Sequence, residues 1–270
     1  VSRRTSRTAL TIVVIVALLG GGIYYGVYHL LKKARPFAQG EHCIIKTPDG
    51  TLDLDVEQTQ IAATIAAIAI RRGLSERALQ IAYVTAIQES KLANLPYGDR
   101  DSVGVFQQRP SMGWGTSAQL QDPVYATRKF FAALEKVKRY RTLPLHDAAQ
   151  AVQRSADGSA YAQHEPAAKI LSAAFTGRVP QAVHCWYPPP DDSVAPQPKA
   201  ARKQLLRELG DDSSPKRGWV IATWYVAHAQ KYGLRKVRYG GVTWTAATGH
   251  DGWQKDGKEG GKAVGAVQIA

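Results

Sequence analysis

The stretch ERALQIAYVTAIQES (76–90) is apolar on nearly every face, and no other feature of the chain restricts its fold as much. A helix without a polar stripe has no side to give to water, so it must be central, with other elements packed around it. Ser75 is placed to cap its start. Neighbours are available in the flanking sequence. QTQIAATIAAIAIRRG is alanine-rich and stopped by Gly73, VYATRKFFAALEKVKRY is opened by Asp122-Pro123, and LHDAAQAVQRSA adds another helical run. AAKILSAAFTG is opened by Glu165-Pro166 and ended by Gly177, so helices are expected to dominate from 56 to 178. A turn at Pro48-Asp49-Gly50 precedes them.

The segment WYPPPDDSVAPQPKA (186–200) crowds prolines with acids and is expected to be an interdomain linker. Beyond it, AARKQLLRELG and GWVIATWYVAHAQKYG read as helices, and KVRYGGVTWTA and GAVQIA as short strands. At the other end, Ala9 to Leu31 holds no ionised residue and is bracketed by Arg3, Arg4 and Arg7 and by Lys32, Lys33 and Arg35. About 20 such residues rise roughly 30 Å as a helix, enough for one membrane span. Tyr24, Tyr25, Tyr28 and His29 would suit the headgroup layer, and a cleaved signal peptide is the alternative. The expected fold class is mainly α: a tail (1–8), a transmembrane helix (9–31), a linker (32–44), a helical domain (45–185), a Pro-rich linker (186–200) and a small α+β module (201–270). A single-pass protein of the cell membrane with its folded parts outside the cytoplasm follows, with the lipid bilayer as one partner.

The net charge of +13 favours anionic surroundings such as headgroups or an acidic wall polymer. Basic residues are scattered, and no arginine-rich block or nucleic-acid motif accompanies them, so nucleic acid is not an expected partner. Two cysteines, Cys43 and Cys185, bracket the helical domain. In an oxidising exterior they are expected to form a disulfide. The alternatives are free thiols or a Cys2His2 zinc site with the adjacent His42 and His184, which lacks the usual spacer between ligands. No metal ion and no cofactor is expected.

Glu89 ends the apolar helix on the same face as Ala78, Ala82 and Thr85. A carboxyl withdrawn from water at the negative end of a helix is placed to keep the proton that general acid catalysis needs. The plain structural alternative is a glutamate at a frayed helix end, paired with Lys91.

After this helix comes SVGVFQQRP (102–110), which resembles the S-x-G-L-M-Q-x-x-P signature of the lysozyme-like lytic transglycosylase superfamily, and Glu89-Ser90 matches the Glu-Ser pair that precedes it there. The resemblance covers residues 45–185 and implies a lysozyme-like helical domain acting on peptidoglycan glycan strands. It makes Glu89 the single catalytic acid/base, Ser90 a support of its geometry, and Gly104 and Gln107 residues of the sugar groove. The family's later A-Y-N-x-G motif is absent, and AVQRSADGSAYAQ offers Gln153 or Tyr161 as stand-ins. Trp114 is a candidate for stacking on a sugar. Most glycosidases use two carboxylates. Asp99 and Asp101 are the nearby candidates for a second, but the resemblance implies a route that needs one, in which the substrate's C6 hydroxyl attacks and a 1,6-anhydro sugar forms.

The C-terminal part resembles a wall-associated module of actinobacterial exported proteins. His228 and His250 lack ligand spacing, and Trp219, Trp224, Trp244 and Trp253 are expected to pack the module. The readings to be weighed are therefore a glycan-cleaving enzyme, a non-catalytic peptidoglycan-binding or scaffold protein, and a component of a metal-handling or transport system.

Overall fold

The computed structural model describes residues 18, 20–28, 40–154, 159–188, 195–256 and 266–270. The chain forms two compact units, Val1–Gly40 and Glu41–Ala270. In the first, residues 20–28 are helical (α1). No helix among the described residues is long and apolar enough to cross a membrane, which corrects the expected transmembrane helix over 9–31. Residues 9–17, 19 and 29–31 lie outside the described residues, as do the tail 1–8 and most of the linker 32–44.

The second unit opens with the hairpin β1 (His42–Thr47) and β2 (Gly50–Leu54), turned at Pro48-Asp49 as the sequence suggests. The Thr47 hydroxyl accepts the Asp49 N–H at 3.2 Å and steadies the turn. β3 (Val183–Trp186) adds to the other edge of β1, giving the antiparallel order β2-β1-β3. Cys43 stands directly opposite Cys185 in that ladder, and the two are disulfide-bonded across a sequence separation of 142. Closing a loop of that length contributes about 5 kcal/mol in the chain-entropy model.

Inside the closed loop lie α2 (Val56–Arg71), α3 (Glu76–Ser90), α4 (Ser117–Leu120), α5 (Pro123–Leu134), α6 (Leu145–Gln153), α7 (Ser159–Ala162) and α8 (Glu165–Phe175). Their starts follow the capping residues. The Ser75 hydroxyl accepts the Ala78 N–H, and the Asp122 carboxylate accepts the Val124 N–H. α3 is buried at Ala78, Leu79 and from Ile81 to Ala86, and packs on α2, α5, α6, α7 and α8. α2 is equally central. It is buried on most faces and packs on α3, α5 and α8 and also on α9 (Pro198–Leu209) and α10 (Gly218–Tyr232).

That last contact corrects the expected division into two modules. The described residues on both sides of 189–194 belong to the compact unit Glu41–Ala270. α2 and α10 are both too apolar to present a face to water, so each covers the other and one core runs through both halves. A buried polar cluster ties α9 to α10: Trp224 Nε1 donates to Glu208 Oε2 at 2.6 Å and Gln204 Nε2 to Glu208 Oε1 at 2.7 Å. The Trp224 ring stacks on His228 with centroids 3.9 Å apart. Strands β4 (Lys236–Tyr239), β5 (Val242–Thr245), β6 (Gln254–Lys255) and β7 (Gln268–Ile269) form a second antiparallel sheet, ordered β6-β5-β4-β7. Trp224 and Trp244 are buried, and Trp219 and Trp253 pack half-buried on the same core.

Candidate functional site

Glu89 sits half-buried in the last turn of α3. The helix does not fray there. Lys91 takes the left-handed conformation at φ 55°, its N–H reaches Ile87 O at 2.9 Å, and the Leu92 N–H returns to Ala86 O at 3.1 Å. Leu92 is also left-handed, at φ 61°, and is buried, so two non-glycine residues carry a strained turn that packing and Gln58 hold. Gln58 Nε2 donates to Lys91 O at 2.8 Å. No ion pair joins Lys91 to Glu89 among the described residues, and the partner of the carboxylate is Tyr161. The phenol, buried in α7, donates to Glu89 Oε1 at 2.7 Å. Oε2 has no partner among the described residues.

The next residue ties the helix to the motif loop. The Ser90 hydroxyl donates to Val105 O at 2.7 Å and lies 3.1 Å from Ala86 O. Val105 and Phe106 are fully buried, and the Phe106 ring stacks on Phe130 of α5 at 4.5 Å. From the other side Gln153, at the end of α6, donates to Phe106 O at 2.7 Å. Serine, loop carbonyls and glutamine therefore hold the loop between α3 and α6.

The loop's own turns need its glycines. Gly104 has φ +79°, and a Cβ there would lie 2.4 Å from Leu120 O. A Cβ on Gly98 would lie 1.7 Å from Gln107 Oε1. Gln107 is itself left-handed, at φ 47°, with its amide donating to Gly104 O at 3.1 Å and accepting from the Ser102 hydroxyl at 3.0 Å. Asp101 accepts from Arg109 at 2.8 Å and from the Ser111 N–H at 2.7 Å, which holds its carboxyl far below the usual carboxylate range. It acts as a loop brace, and Asp99 is exposed beside Arg100.

A groove of about 740 Å³ opens beside this loop. Of the residues singled out in the sequence, Gln107, Trp114 and Gln153 line it. Ser90 and Gly104 are buried behind the loop and shape it without reaching the groove. Glu89 and Tyr161 are not among the lining residues. The groove also holds residues that motif reading passes over: Gln108, Lys129, Lys136 and Arg154. A signal for part of this wall was in the sequence, since 129, 132, 133, 136 and 137 follow helical spacing and all five line the groove.

The remaining candidates lie elsewhere. The Cys43 and Cys185 sulfurs are bonded to each other and so are not thiolate ligands for a metal. His184 is held below its ordinary pKa, first by burial and then by His42, Lys46 and His250. His228 is a core histidine hydrogen-bonded to Trp224 O at 2.9 Å, and His250 lies 3.3 Å from Asp251.

No protein-family model matches this sequence, and no characterised protein matches it significantly. The functional reading rests on the residues themselves.

Proposed function

We propose that this protein cleaves peptidoglycan glycan strands outside the cytoplasm, with Glu89 as the single acid/base. The observation that carries the reading is the Tyr161 to Glu89 hydrogen bond. It fixes one carboxyl oxygen from a buried donor and leaves the other free, as a group that must give up and then recover a proton requires. Tyr161 is also one of the two stand-ins offered for the tyrosine of the missing family motif. Ser90 supports the reading from the other side by binding the motif loop to the catalytic turn.

In the reaction, Glu89 protonates the glycosidic oxygen as the bond to C1 breaks. It then takes the proton of the C6 hydroxyl as O6 bonds to C1. The carboxyl ends as it began, no water is consumed, and no second carboxylate is needed. That economy suits a site where Asp101 is committed to Arg109 and Ser111. A disulfide between Cys43 and Cys185 supports an oxidising compartment.

The test is digestion of isolated sacculi by the purified 41–270 unit. Anhydro-muropeptides are expected from the wild type. Glu89→Gln should lower the rate by roughly 10²–10⁴-fold. Tyr161→Phe, which removes the hydrogen bond that fixes Glu89 Oε1, should lower it by about tenfold. Intact sacculi that nevertheless retain the wild-type protein would replace cleavage with binding.

A further inference from the structure

The groove is unusual in the sign of its charge. Arg109, Lys129, Lys136 and Arg154 line it, and no aspartate or glutamate does among the described residues. Two of the four cations are already occupied. Arg109 pairs with Asp101 at 2.8 Å, and the Lys129 ammonium lies over the Tyr125 ring, 5.4 Å from its centroid. Lys136 and Arg154 are exposed and have no carboxylate partner among the described residues. Glu135, next to Lys136 in the chain, is turned to Arg72 instead. The two free cations come from different elements, Lys136 from just beyond α5 and Arg154 from the end of α6. Arg154 is left-handed at φ 56°, a conformation that costs an ordinary residue about 1–2 kcal/mol.

The rest of the lining suits a sugar. Trp114 and Met112 give apolar surface, and Gln107, Gln108 and Gln153 give amides. Gln108 is 2 % exposed, and its Oε1 has no hydrogen-bond partner among the described residues. An orphan acceptor costs stability where it stands and is satisfied by any ligand or water that brings a donor to it.

We infer that this groove selects glycan strands carrying negative charge, with Lys136 and Arg154 holding their carboxylate or phosphate groups and Trp114 packing on the sugar. A neutral strand would leave two cations in a concave site unpaired, and a charged one neutralises them with charge-assisted hydrogen bonds. The inference rests on the reading of the groove as a glycan site, and it adds which glycans enter.

Titration calorimetry on the 41–270 unit with three probes of similar length tests it: a neutral chito-oligosaccharide, an oligogalacturonate bearing carboxylates, and a glycerol-phosphate oligomer bearing phosphodiesters. At least one anionic probe is expected to bind about tenfold or more tighter than the neutral one at low salt, and to lose that advantage near 1 M salt. If both anionic probes bind, charge alone is read; if one binds, the groove distinguishes carboxylate from phosphate. Lys136→Gln/Arg154→Gln should abolish the preference, bringing the anionic probes to the affinity of the neutral one, and Lys136→Arg/Arg154→Lys should restore it. Both side chains are exposed, so the fold has no reason to change. Equal affinity for all three probes, or a preference that survives the double glutamine variant, overturns the inference. Glu89→Gln separates it from the catalytic reading: cleavage that persists in this variant strikes that reading alone, while a loss of the anionic preference in the wild type strikes only the inference.

Discussion

His228 illustrates how far one side chain can set the response of this protein to acid. It is buried in α10 against Trp224, and burial lowers its pKa from an ordinary 6.5 to about 3. Between those values the unfolded chain takes up a proton that the folded chain refuses. Stability is therefore fully present above pH 6.5 and falls as the pH drops, by about 1.4 kcal/mol per unit across that interval. Glu208 acts in the opposite sense. Burial raises its pKa, so its protonated form favours the folded state at low pH, and that contribution is lost as the pH rises through the raised value. Urea midpoints at pH 7 and pH 4.5 should differ clearly for the wild type and much less for His228→Gln, which keeps a donor for Trp224 O and does not titrate. Equal acid losses in both proteins would remove His228 as the cause.

At the scale of elements, the join between α9 and α10 depends on one indole. Trp224 Nε1 serves Glu208 Oε2, and Glu208 is 1 % exposed with no access to water. Trp224→Phe keeps most of the packing and removes one of the donors that, with Gln204 and Thr64, serve the buried carboxyl, and the expected cost is about 1–3 kcal/mol in urea denaturation. Trp219→Phe is the control. Its ring is half-buried and stacks edge-on against Tyr239 and Trp253, so a smaller loss is expected. The same logic accounts for the order of α3, the motif loop and α6. The loop is held by Ser90 and Gln153 from two helices, and the close approaches at Gly98 and Gly104 leave no room for a side chain.

At the scale of the molecule, the Pro-rich stretch does not mark a boundary between independent parts. α2 lies against α10 and α9, and the core runs through all of them. A fragment ending at residue 188 would expose the apolar face of α2, so we expect it to lack a cooperative thermal transition, while 41–270 melts in one. A fragment with its own transition at the same temperature as the whole would show that the shared core is dispensable.

Apolar patterning and capping residues were enough to place α2, α3, α5, α6 and α8, because burial and the first helical turn are properties of local sequence. The opposition of Cys43 and Cys185 was expected from their bracketing positions. The candidate pairing of Glu89 with a loop carrying Gly104 and Gln107 came from a motif rather than from physics. Patterning went wrong where it equated an uncharged run at 9–31 with a transmembrane helix, and where it let prolines stand for a domain boundary. Proline and charge report what a segment cannot do locally, and they carry no information about which distant helix will cover an apolar face. The same limit applies to the groove. That Tyr161 rather than Gln153 reaches Glu89, and that Lys136 and Arg154 share a wall with Trp114, depends on the packing of α5, α6 and α7 around α3. Those distances come from long-range packing of side chains, which no window of sequence contains.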